Sequence, residues 1–147
     1  MPLTRQGRKH CAQGVSLKSW IADRQLQEDM LHVSLRSTAL SLFRQELFDT
    51  AVFEAFKVLE VLIRQAAGLG DESLGTKLTA RAFDPKGGPL TDKMAEAGER
   101  QALMNLMSAA IGSDKNPQSH RHVGLEAREM IIMASRLLGI VDNRRPT

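Results

Sequence analysis

The chain has 147 residues, enough for one domain to bury a core without disulfides or a structural metal. With 42% apolar and 25% charged residues it reads as a soluble globular protein; one Trp and no Tyr leave the packing to Leu, Ala, Ile, Val and Met, a mix that favours helices. The net charge of +3 sits at the start: Arg5, Arg8, Lys9 and Lys18 put +4 into residues 1–20, so the rest carries −1 (+3 less +4) and is no uniformly basic nucleic-acid binder.

Residues 1–15 read as a loose basic arm, broken by Pro2, Gly7 and Gly14. Cys11 is the single cysteine, so no internal bridge forms, and a reducing cytoplasmic home is expected. No apolar run approaches the roughly 18 residues of a membrane span, and the first residues lack a signal-peptide core.

A helical domain is expected over residues 16–143, followed by a polar tail, 144–147. Leu17, Trp20 and Ile21 share one helical face, which Leu26, Met30, Leu31 and Val33 extend. Leu35, Ala39, Leu42 and Phe43 recur at three and four up to Gln45-Glu46. After a break at Phe48-Asp49, Asp49 or Thr50 is positioned to cap a helix over 50–67. Its apolar stripe, from Ala51 and Val52 to Ile63 and Ala66, is wide enough for a central bundle helix. Glu54, Lys57, Glu60 and Arg64 fall on the opposite, wet side, and Gly68 and Gly70 stop it.

A short helix opened by Asp71 or Ser73 runs to about Phe83 and buries Leu74, Leu78 and Phe83. The loop 84–89 has two glycines, but no strand before it and no Gly-Lys-Ser/Thr after it, so it is no phosphate loop. Thr91 is expected to cap a helix over 92–111 with Met94, Ala97, Leu103, Met104, Leu106, Met107 and Ala110 on its buried face. Gly112 would end it. A last helix over 125–139 follows, with Gly139 as its stop. No stretch alternates with period two. The predicted fold is an all-α, single-domain bundle of about five helices.

Between the last two helices lies the polar turn Asp114-Lys115-Asn116-Pro117-Gln118-Ser119-His120-Arg121-His122, with two of the four histidines. Asn-Pro marks a turn that starts a helix. If that segment is helical, Asn116 and His120 share a face. His120 titrates near neutrality and is suited to proton transfer. Lys115 and Arg121 can hold a phosphate, with His122 beside them. This set suits RNA cleavage by 2′-hydroxyl attack, with no metal or cofactor required. The bland alternative is that Asn116 caps, Pro117 fixes the turn and His120 bonds to backbone. A zinc site on His120 and His122 lacks a third ligand.

From Leu31-His32 to about Asp142 the chain resembles the Ymh-type family of bacterial conserved hypothetical proteins. The resemblance rests on Leu42-Phe43, the run Ala51 to Lys57, Gly75-Thr76-Lys77-Leu78 and above all Lys115-Asn116-Pro117-Gln118-Ser119-His120-Arg121. That family is in turn similar to the HEPN superfamily of small helical ribonucleases and nucleotide-binding modules, whose motif places Arg, a polar residue and then His. The resemblance implies a HEPN-like bundle with Lys115 in the Arg position, Asn116 in the polar one and His120 as the histidine. It also implies RNA as a partner, a homodimer pairing two motifs, and a toxin–antitoxin or anti-phage role with an antitoxin or larger defence-complex partner. Phe53, Met104, Met107 and Met133 are surplus to one small core, which places some of them at a homodimer seam. A non-catalytic module that binds RNA, a nucleotide or a partner protein through the same turn is the competing reading.

Overall fold

A computed structural model describes residues 26–114 and 124–146. The expected arm 1–15 and the helical onset at Ser16 lie outside the described residues. The described residues form a short 3-10 turn, Glu28–Met30, and the α-helices α1 (Val33–Arg36), α2 (Ala39–Arg44), α3 (Phe48–Ala67), α4 (Gly75–Ala82), α5 (Ala97–Asp114) and α6 (Gly124–Arg144). There is no strand among them. Counting α1–α2 as one broken helix gives the five helical units the sequence predicts. The fold is all-α, and none of the described helices is long and apolar enough to cross a membrane.

Helix α3 is the centre: α6, α2, α4 and α5 all pack against it. Its buried residues Ala51, Val52, Ala55, Phe56, Leu59 and Ile63 follow the predicted stripe, while Leu62 and Ala66 pack at the edge. Fully burying each of the larger ones contributes about 1.5–3 kcal/mol. The helix stops at Gly68 (φ 68°), where the N–H groups of Gly68 and Leu69 reach back to the carbonyls of Gln65 and Arg64.

Helix starts differ from the sequence reading for identifiable reasons. Helix α3 begins at Phe48, and neither Asp49 nor Thr50 caps it. The preceding helix ends at Arg44, beside the expected Gln45-Glu46; Glu46 takes a left-handed conformation (φ 62°), and Glu46 and Leu47 donate to the carbonyls of Phe43 and Leu42. A glycine usually takes that geometry; here a glutamate does. Helix α5 starts at Ala97, not near residue 92. The Thr91 hydroxyl donates to the Asp84 carbonyl, and the Asp92 side chain accepts from Met94 N–H, so residues 91–96 form turns. Helix α6 runs through Gly139 to Arg144, because Leu137, Leu138 and Val141 hold both sides of that glycine in the core.

Burial corrects several predicted faces. Glu60, expected on the wet side, is only 4% exposed. It lies 3.9 Å from Arg64, which also reaches Asp71 (3.8 Å) and the Ser73 carbonyl (3.5 Å). The segment leading into α4 therefore covers this side of α3. Leu74, Met94, Ala97 and Leu106, all expected inside, are exposed. Met94 and Ala97 come out because the turns over 91–96 replace the first expected helical turn. Met107, a proposed seam residue, lies wholly within the chain's own core, and Met104 and Met133 pack partly against it.

The Gly87-Gly88 loop folds onto itself. Both glycine N–H groups donate to the Asp84 carbonyl, and a Cβ on Gly88 would lie 2.6 Å from Asp84 N. Its amides are thus committed within the loop, which gives a structural reason why it does not cradle a phosphate.

Candidate functional site

The predicted site residues Lys115, Asn116, His120, Arg121 and His122 lie outside the described residues. The described structure fixes the two helix ends that carry them. Helix α5 continues through Gly112 to Asp114, two residues past the expected stop, so Asp114 belongs to the helix and not to the turn. Met107, Ala110 and Ile111 bury the last turns of α5. On the far side α6 opens at Gly124, and Ala127 and Ile131 enter the core at once. The segment 115–123 therefore joins two helices that are each anchored in the core within about one turn of their ends.

Helix α4 supports that anchor. A Cβ placed on Gly112 would come 3.2 Å from the Thr76 methyl, so the glycine lets the start of α4 lie close against the end of α5. The sequence predicts a helix stop at Gly112; its role is close approach. One turn along, the buried Thr79 hydroxyl donates to the Thr76 carbonyl (2.9 Å) and pairs with Ser108 Oγ of α5 (2.7 Å). Lys77, next to Thr76, is exposed and has no ion-pair partner among the described residues. It is a cation near the end of α5 that sequence reasoning did not single out. Its signal was its place in the Gly75-Thr76-Lys77-Leu78 block.

The one described histidine, His32, is committed elsewhere. Its Nε2 lies 2.6 Å from Asp142 Oδ2, and its Nδ1 accepts the Ser34 N–H at 3.2 Å, capping α1. Its backbone N–H donates to Ser135 Oγ at 2.7 Å. Although Ser, His and Asp meet here, Ser135 touches the backbone of His32 and not the ring. The arrangement gives no serine activated by a ring nitrogen. It is a clasp that ties the start of α1 to the last turns of α6. Asp142 also lies 3.6 Å from Arg145.

Among the described residues no group of three or more His, Cys, Asp or Glu side chains is placed to hold a metal ion. No curated protein and no solved structure matches the chain. A family model described as "Protein of unknown function (Hypoth_ymh)" matches residues 29–141, a stretch that includes the Gly75–Leu78 block, the 115–122 turn and nearly all of α6. With that match over most of its length, the chain belongs to the Hypoth_ymh family.

Proposed function

We propose that the chain is a metal-independent endoribonuclease whose chemistry lies in the segment between α5 and α6. The observation that carries this reading is the commitment of His32: both its ring nitrogens already have partners, one of them the Asp142 carboxylate. Of the three histidines outside the described residues, His10, His120 and His122, proton transfer is assigned to His120, because cations and an amide side chain stand beside it in the sequence. His120 removes the 2′-hydroxyl proton; the freed oxygen attacks the adjacent phosphorus; the 5′-oxygen leaves with a proton, and a 2′,3′-cyclic phosphate remains. Lys115 contacts the phosphate, Arg121 and His122 contact it from outside, and Asn116 orients the hydroxyl. Lys77 is a further backbone contact.

In this reading the chain works in the cytoplasm as a homodimer, so that two copies of His120 serve the two proton transfers. The half-buried Met104 and the exposed Leu106 of α5 supply apolar surface for that pairing. By analogy with the HEPN superfamily it belongs to a toxin–antitoxin or anti-phage system and has an antitoxin or a larger complex as partner. The alternative is a non-catalytic module that binds RNA, a nucleotide or a partner protein at the same segment. It is favoured by Lys115 where the HEPN motif has Arg, since Lys lacks the planar two-point grip on phosphate.

The test is RNA cleavage by purified protein in chelator, with His120→Ala run beside it. The expected loss is on the order of 10²–10⁴ in rate. Lys115→Arg is expected to retain or raise activity, and Lys115→Ala to lose it. Equal cleavage by wild type and His120→Ala would overturn the enzymatic reading. Absence of cleavage in both, with RNA still bound, would establish the binding module instead.

A further inference from the structure

A cavity of about 200 Å³ opens between the start of α5, the end of α6 and the turns before α5. Four charged side chains line it: Arg100 and Glu99 from α5, Arg144 from α6, and Asp92 from the turns. Among the described residues none of the four is in an ion pair. Arg100 spends one terminal nitrogen on the Pro85 carbonyl at 2.9 Å, and its Nε is closed off from solvent without a partner. Asp92 uses one oxygen to close its own turn on Met94 N–H. Charges of both signs thus share one cavity and leave one another unpaired. The remaining wall is Thr91, whose hydroxyl donates to the Asp84 carbonyl, and the apolar Phe83, Ala95, Leu103 and Ile140.

From this lining we infer that the cavity binds a small zwitterion with an aliphatic body, namely a free α-amino acid of about the size of leucine. A simple anion entering here meets the carboxylates of Asp92 and Glu99, and a simple cation meets two guanidinium groups. A zwitterion satisfies both pairs: Arg144 takes the carboxylate through its planar fork, and Glu99 and Asp92 take the ammonium. The apolar wall receives the side chain. At about 200 Å³ the space lies below the roughly 300–1,000 Å³ of pockets that take larger ligands, which limits the occupant to this size. The inference is independent of the ribonuclease reading and uses none of its residues.

The experiment is a two-dimensional amide NMR titration of the whole chain with L-leucine. Isocaproate, which lacks the ammonium, and isoamylamine, which lacks the carboxylate, are the controls. Leucine is expected to shift the amides of residues 91–100 and 140–144, and each control to bind about tenfold or more weakly, as loss of one charged hydrogen-bonding group implies. Arg144→Gln and Glu99→Gln are each expected to weaken leucine by a similar factor, with circular dichroism verifying their fold. The inference is overturned if leucine at about 10 mM, roughly tenfold above a 1 mM Kd, shifts nothing. It also falls if isocaproate binds as well as leucine, which would mark an anion site only, or if neither substitution weakens binding.

Discussion

Thr79 offers the sharpest test of how α4 positions α5. Its side chain is wholly buried, and its hydroxyl serves two bonds at once, donating to the Thr76 carbonyl and accepting from Ser108 across the helix interface. Thr79→Val keeps the shape and removes both. Each such bond contributes a net ~1 kcal/mol, so the pair predicts a loss of about 1–2 kcal/mol. For a chain of this length that lowers Tm by roughly 2–8 °C. Urea unfolding followed by circular dichroism measures it, with an unchanged slope showing that the loss is stability alone. A cycle with Ser108→Ala isolates the bond across the interface, with an expected coupling of about 0.5–1 kcal/mol. If Thr79→Val is as stable as wild type, or the two substitutions simply add, the hydroxyl pair does not hold α5 in register and the reasoning fails.

Other outcomes follow from the same geometry. Gly139→Ala should stabilise by about 0.5–1 kcal/mol, because the glycine lies inside α6 and an added Cβ meets nothing within 4 Å; thermal unfolding checks the sign. Gly68→Ala should do the opposite by about 1–2 kcal/mol despite equally open space, since its φ of 68° strains any side chain. Phe56→Ala, at a fully buried position of the central helix, should cost about 3–5 kcal/mol in urea unfolding. Asp142→Ala, which opens the clasp on His32, should cost roughly 0.5–1.5 kcal/mol and leave RNA cleavage unchanged; a folded variant that no longer cleaves would move the chemistry from the turn to the clasp.

Where the fold was legible, the reason is that burial and helical period coincide. The stripe of α3 needed only its 3.6-residue repeat to be placed, and Gly68 marked its end. Legibility failed where one residue type serves two geometries. Gly112 and Gly139 look like stops yet sit inside helices, the first admitting Thr76 and the second carried along by its neighbours in the core. Glu60 looked solvated because a helical wheel shows which side faces the first neighbour; it cannot show that the 71–74 segment returns to cover the other side. Tertiary cover of this kind is invisible to local pattern. The candidate turn was legible as a concentration of chemistry, because Lys115, Asn116, His120 and Arg121 need no tertiary context to be noticed. Lys77 needed the α4–α5 contact before its position meant anything.

The distribution of polar contacts also shows how the scaffold is held. Among the described residues, the polar pairs that bridge separate elements hold those elements in place. Thr79 with Ser108 sets α4 on α5, Arg81 with Ser73 and Arg64 with Asp71 fold the α3–α4 connection, and His32 with Asp142 fastens α1 to α6. Two of these, through α4 on one side and the clasp on the other, bear on the helices that deliver residues 115–123. A segment delivered this way can carry short polar side chains without contributing to the core itself. On the proposed function, that arrangement leaves stability to the described helices on either side of Lys115, Asn116, His120 and Arg121. It also sets the expected signature of the turn. Substitutions at His120 or Lys115 should change reaction or binding while Tm holds, whereas Thr79→Val should change Tm first.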